Sequence, residues 1–212
     1  MRIALIHALR HSVEPAEEAF HRLWPDATLV NILDDSLSQD LARDGVVTPG
    51  MTERLLHLAR YAVGTCANGI LFTCSAFGPC IDACKLALAP IPVLKPNEAM
   101  IDDAISAGAP IGLLATFAPT LDTMPAEFIA AAPSTRIVPQ LAAGALAALN
   151  AGDTERHDAL AVEAATRLMD CNVIALAQFS LARAAAAIAT ATGKLVLTTP
   201  DSAVKRMRSL LS

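Results

Sequence analysis

Val93-Leu94-Lys95-Pro96-Asn97-Glu98-Ala99-Met100 has a second version later in the chain, Val196-Leu197-Thr198-Thr199-Pro200-Asp201-Ser202-Ala203-Val204, one residue longer. Each is preceded by an apolar run that ends in polar residues and a helical pattern: Leu71-Phe72-Thr73-Cys74-Ser75 before the first, Ala175-Leu176-Ala177-Gln178-Phe179-Ser180 before the second. The chain therefore reads as a duplicated α/β layout. Strand-like runs fall near residues 2–7, 27–32, 69–74 and 91–94, then near 110–115, 135–138, 172–177 and 194–198, separated by alanine- and leucine-rich helical patterns. Because these runs do not alternate apolar with polar, they predict parallel sheets covered by helices on both faces. The expected fold class is α/β: two pseudo-symmetric lobes, each a four-stranded, mainly parallel sheet, with the active site in the cleft between them. Pro90, Pro92 and Pro96 mark one junction and Pro200 the other. This gives a first lobe of residues 1–95 plus 200–212 and a second of 96–199, with the last helix returning to the first lobe. Residues 34–50, rich in Asp and Gly, read as a long mobile loop.

Composition narrows the class of function. Of 212 residues, 54% are hydrophobic and 17% charged, enough to bury a sizeable core. One Trp, one Tyr and six Phe with a net charge of -5 argue against a nucleic-acid surface. The basic cluster Lys205, Arg206, Arg208 closes a helical pattern, where cations suit the helix dipole. No export signal opens the sequence and no run of roughly 18 apolar residues is free of charges or turn signals, so neither secretion nor a membrane partner is expected. Five cysteines, an odd number, point to free thiols and a cytoplasmic location.

In open parallel sheets ligands bind beyond the carboxyl ends of the strands. The residues there are His7, Cys74-Ser75, Thr116 and Gln178-Phe179-Ser180, and by the duplication His7 pairs with Thr116 and Cys74 with Gln178. Cys74 precedes a helix that Pro79 opens, so its thiol is expected to meet free backbone N–H groups and to have a lowered pKa. The alternative is a small buried hydrophobe. His7 is either a site residue or a satisfied structural histidine. The hydroxyls of Thr116 and Thr120 either cap a helix or hold an anion. Asp153 and His157-Asp158 read as a helix start after Asn150-Ala151-Gly152. Cys80 and Cys84 lack the companions a zinc site needs, so no metal is expected. There is no nucleophile elbow, phosphate loop or dinucleotide fingerprint.

Phe72-Thr73-Cys74-Ser75-Ala76-Phe77-Gly78-Pro79, Leu113-Leu114-Ala115-Thr116-Phe117-Ala118-Pro119-Thr120, Gly144-Ala145, Ala151-Gly152-Asp153, His157-Asp158 and Val196-Leu197-Thr198-Thr199-Pro200, in that order, resemble the aspartate/glutamate/hydantoin racemase superfamily. The likeness spans nearly the whole chain. It implies a cofactor-independent enzyme in which one cysteine from each lobe faces a carbon next to a carboxylate, one removing the proton and the other returning it. Cys74 stands at the first position and Gln178 at the second, where an amide offers no titratable proton near neutral pH. The superfamily also includes arylmalonate decarboxylase-like enzymes with a single catalytic cysteine, which sits in the other lobe. The expectation is a racemase or isomerase acting on a small carboxylate, amino acid or hydantoin-like, with Cys74 and Gln178 as catalytic positions. Around them, His7, Ser75, Ala76, Thr116, Thr120, Phe179 and Ser180 are expected to bind substrate. A single-cysteine decarboxylase and a non-catalytic small-acid binder are the alternatives, and homo-oligomerisation is left open.

Overall fold

The computed structural model describes all 212 residues. Two compact units divide the chain: Met1–Glu98 with Ala203–Ser212, and Ala99–Ser202.

In the first unit β1 (Arg2–His7), β2 (Thr28–Leu33), β3 (Gly69–Phe72) and β4 (Val93–Leu94) form an all-parallel sheet in the order β2-β1-β3-β4. The central strands are buried almost throughout, which is why their sequences are unbroken apolar runs. Successive side chains point to opposite faces. Ala4, Ile6, Ile70 and Phe72 meet α3 (Pro49–Gly64) and α4 (Gly78–Leu88) through Leu55, Ala59, Cys80 and Ile81. Buried Phe20 and Trp24 stack where α1 (Val13–Leu23) ends. At Gly69 a Cβ would lie 2.6 Å from Met207 Sδ. Met207 belongs to α10 (Thr199–Leu210), and Arg208 of the same helix donates to the Leu23 carbonyl, so the end of α10 docks within the first unit.

Residues 34–50 differ from the mobile loop their composition suggests. They contain α2 (Ser36–Asp44), closed by Gly45 at φ 70°, and then Thr48, whose hydroxyl accepts the Met51 N–H at the start of α3. Arg54 explains the order: its guanidinium bridges Asp34 (2.6 Å) and Asp40 (2.5 Å) across α2. Asp34 and Asp40, which resemble parts of a solvated loop, are thus partners of a cation further along the chain.

The second unit repeats the plan. β5 (Ile111–Ala115), β6 (Ile137–Leu141), β7 (Val173–Leu176) and β8 (Leu195–Thr198) form a parallel sheet in the order β6-β5-β7-β8. On one face Leu114, Ile174 and Leu176 pack with α8 (Thr154–Ala165) and α9 (Ala185–Thr192), which come after the short α7 (Ala145–Asn150). On the other, Ile111, Leu113, Val173 and Ala175 meet Met100, Ile101 and Ala104 of α5 (Glu98–Ala107) and Met124 and Phe128 of α6 (Ala118–Ala131). The fold is thus α/β with two four-stranded parallel sheets. No helix is long and apolar enough to cross a membrane.

Candidate active site

The ladder registers align the two repeats residue by residue. In the first sheet the last β1–β3 pair is Ile6 with Phe72, and Thr73 N–H donates to the Ile6 carbonyl at 3.0 Å. In the second the last β5–β7 pair is Leu114 with Leu176, and Ala177 N–H donates to the Leu114 carbonyl at 2.9 Å. Cys74 and Gln178 therefore occupy the same position of the repeat, two residues past the final rung. A further pair of bonds, Asp34 N–H to the His7 carbonyl and Ala142 N–H to that of Ala115, makes Ala115 the counterpart of His7. Pairing His7 with Thr116, as the sequence duplication suggests, is one residue too far; Thr116 corresponds to Ala8.

Cys74 leaves β3 in extended conformation and is half-buried, while Ser75 and Ala76 are exposed. Burial pushes the thiol above its ordinary value of 9.0, and the hydrogen bond from the Ala76 amide opposes this without overcoming it. The sequence suggests the reverse direction. A three-residue 3₁₀ turn, Ser75–Phe77, separates the thiol from α4, which begins only at Gly78; the helix dipole fades within one turn and starts too late to dominate.

His7 is completely buried, and both ring nitrogens are bound within the first unit. Nε2 lies 3.0 Å from Asn31 Oδ1, and Nδ1 lies 2.9 Å from Thr73 Oγ1 and 3.2 Å from Ser12 Oγ. Asn31 in turn donates to Glu17 Oε1 at 2.6 Å, and Ser12 donates to the Leu9 carbonyl at 2.7 Å. Burial lowers the pKa of the imidazole despite the Asn31 bond and the Glu17 charge. Both ring nitrogens are thus engaged by side chains of the first unit.

At the equivalent exits of the second unit the tie is made differently. Gln178 Oε1 accepts the Thr116 N–H at 3.0 Å, and Gln178 Nε2 donates to Thr120 Oγ1 at 2.9 Å. The structure thus brings Gln178, Thr116 and Thr120 together. Pro119 opens α6, and neither threonine caps it: the residue before the helix is Phe117, which is 51% exposed. Phe179 is buried in a 3₁₀ turn, Phe179–Ala184, with Ser180 half-buried beside it.

The remaining residues singled out by sequence are structural. Asp153 caps α8 by accepting the Arg156 N–H; Asp158 accepts from Arg183 at 2.9 Å and lies 2.7 Å from His157 Nδ1. Cys80 and Cys84 are in the core, Cys80 Sγ being 3.1 Å from Thr52 Oγ1. Cys171 is buried, and exposed Cys66 lies just past the end of α3 at φ 63°. Sequence reasoning missed Ser12, Glu17, Asn31 and Thr73. The one available signal was Asn31, a polar residue inside the apolar run Leu29-Val30-Asn31-Ile32.

The family model described as Asp/Glu/Hydantoin racemase matches residues 12–207. No curated protein sequence matches the chain. Solved structures of similar fold include allantoin racemase from Klebsiella pneumoniae, at 18% identity and TM-score 0.77, covering 100% of this chain and 87% of that one. Picrophilus torridus aspartate racemase has 10% identity and TM-score 0.75, covering 99% and 94%. An unliganded arylmalonate decarboxylase has 16% identity and TM-score 0.71, covering 100% and 92%. At these identities the likeness is one of fold.

Proposed function

Since the chain belongs to the Asp/Glu/hydantoin racemase family, we propose that it is a cofactor-independent isomerase-type enzyme acting on a small carboxylate. In this reading Cys74 carries the proton at the carbon next to the carboxylate, and the substrate is an amino acid or a hydantoin-like acid. The observation that supports it is the contrast at the two equivalent positions. Cys74 is titratable and stands just past β3 beside exposed Ser75 and Ala76, whereas Gln178 has no titratable proton near neutral pH and is tied to Thr116 and Thr120.

The chemistry rests on that asymmetry. As thiolate, Cys74 takes the α-proton, and the electron pair left on carbon delocalises into the carboxylate as an enolate-like species. The same thiol, its proton exchanged with solvent, returns one to that face; inversion follows when water protonates the opposite face instead and the thiol's proton passes to the hydroxide left behind. Donors beside the thiol and in place before the charge develops, the Ser75 hydroxyl and the Ala76 N–H, stabilise the intermediate. Because one group does both transfers, exchange with solvent outruns inversion.

A raised thiol pKa also favours a second reading. A thiol protonated at rest is ready as an acid, the single requirement of a malonate-type decarboxylase: loss of carbon dioxide leaves the enolate, S–H protonates it, and water reprotonates the thiolate. Incubating amino acids, hydantoins and substituted malonates in deuterated water, with NMR detection of α-deuterium and of carbon dioxide release, separates the readings. Exchange supports the isomerase, and release the decarboxylase. Binding without either supports a non-catalytic acid-binding protein, and full activity in Cys74→Ser overturns the role of the thiol.

A further inference from the structure

The second unit provides an internal control for the buried cluster around His7. By ladder register, His7 corresponds to Ala115 and Thr73 to Ala177. The same parallel sheet therefore closes in the second unit with two alanines where the first has an imidazole and a hydroxyl. Burying polar groups costs free energy unless each is bonded, and the first unit meets this with a chain of side chains, Glu17, Asn31, His7, Thr73 and Ser12. The fold does not require that chain. It is present only in the repeat that carries the cysteine, and Thr73 is the residue before Cys74.

The hydrogen bonds fix the direction of each donor. Asn31 spends its Nδ2 on Glu17 and so presents Oδ1 to His7, which places the imidazole proton on Nε2. Nδ1 is then an acceptor. Ser12 donates to the Leu9 carbonyl, so Thr73, whose hydroxyl also lies 2.9 Å from Ser12 Oγ and 3.4 Å from the Ile6 carbonyl, is the hydroxyl left to donate to Nδ1. The ring thus holds the end of β3 through the Thr73 hydroxyl.

We propose that His7 is the positioning residue of Cys74: in its Nε2-protonated form it fixes the Thr73 hydroxyl, and through it the strand exit from which the thiol projects. This rests on Cys74 being the reactive group. The test is the double variant H7A/T73A, which gives the first unit the alanine pair on which the second already folds, with Thr73→Ser as the conservative rescue. Three quantities are read: the imidazole tautomer by nitrogen NMR, the rate of Cys74 alkylation by iodoacetamide relative to Cys66, and kcat and KM for α-deuterium exchange. The expected results are an Nε2–H tautomer, a relative alkylation rate altered at least about threefold, and kcat lowered at least about tenfold with KM within about threefold. Thr73→Ser is expected to keep all three near the unmodified values. An Nδ1–H tautomer, or a folded double variant with unchanged alkylation and kcat, overturns the proposal. If no substrate is turned over but tautomer and alkylation behave as expected, the enzymatic reading fails and the positioning role stands.

Discussion

Gln178 has committed both ends of its amide inside the second unit, and its removal has a definite cost. Gln178→Ala leaves the Thr116 N–H, at a mostly buried residue, without its acceptor. A loss of about 1–2 kcal/mol is expected, or roughly 2–8 °C in Tm for a chain of this size. Gln178→Glu keeps an acceptor for Thr116 and should recover most of it; an unchanged Tm in Gln178→Ala would show that the tie contributes nothing. The thiol gives a second prediction. With its pKa raised by burial, Cys74 should alkylate more slowly than exposed Cys66 at pH 7, and its rate should still be climbing past pH 9.0, tracked by mass spectrometry at limiting iodoacetamide. A plateau below pH 8 would contradict this. The sequence made Cys74 and Gln178 visible because strand exits can be counted. It concealed the sign of the thiol shift, since desolvation depends on neighbours folded over from elsewhere in the chain. It concealed His7's partners for the same reason: Asn31 and Thr73 lie 24 and 66 residues away.

Helix α10 makes a close contact where Gly69 leaves room for Met207. Met207 is fully buried, so Met207→Ala should open a cavity and lower stability by about 2–4 kcal/mol, measured by urea denaturation. Gly69→Val should also destabilise, by about 1–3 kcal/mol, because its branches meet the Met207 sulfur and Leu211. A wild-type midpoint in both would mean that the helix end is not packed there in solution. Helix and strand periods were legible at this scale, and all eight strands lie within a few residues of their apolar runs. Helix α2 was not. Its signal is a run of carboxylates that only becomes intelligible once Arg54 arrives from α3 to pair with Asp34 and Asp40.

For the molecule as a whole, stability should depend on pH through His7. Its folded pKa lies below 6.5, so between that pKa and 6.5 the unfolded chain binds more protons than the folded one, and stability increases with pH. The contribution is complete above 6.5 and is lost as pH falls through the folded value. His7→Ala should flatten this acid-side slope in Tm measured from pH 5 to 8, and an unaltered slope would place the titration elsewhere. The α/β class and the two sets of four strands were readable in the sequence, because burial on both faces leaves an unmistakable run of apolar residues. The order of strands was not, since it depends on crossovers no local pattern encodes. The division of the chain also has a consequence for synthesis. Ala99–Ser202 is one uninterrupted stretch, but the other unit is built from two pieces, the second supplying buried Ala203, Val204 and Met207. The unit that begins to emerge from the ribosome earlier of the two is therefore completed later. Until residues 203–212 emerge, the sheet around Gly69 lacks its cover and is open to chaperones or to aggregation, and a stop codon before Ala203 should do most harm to the part of the protein already made.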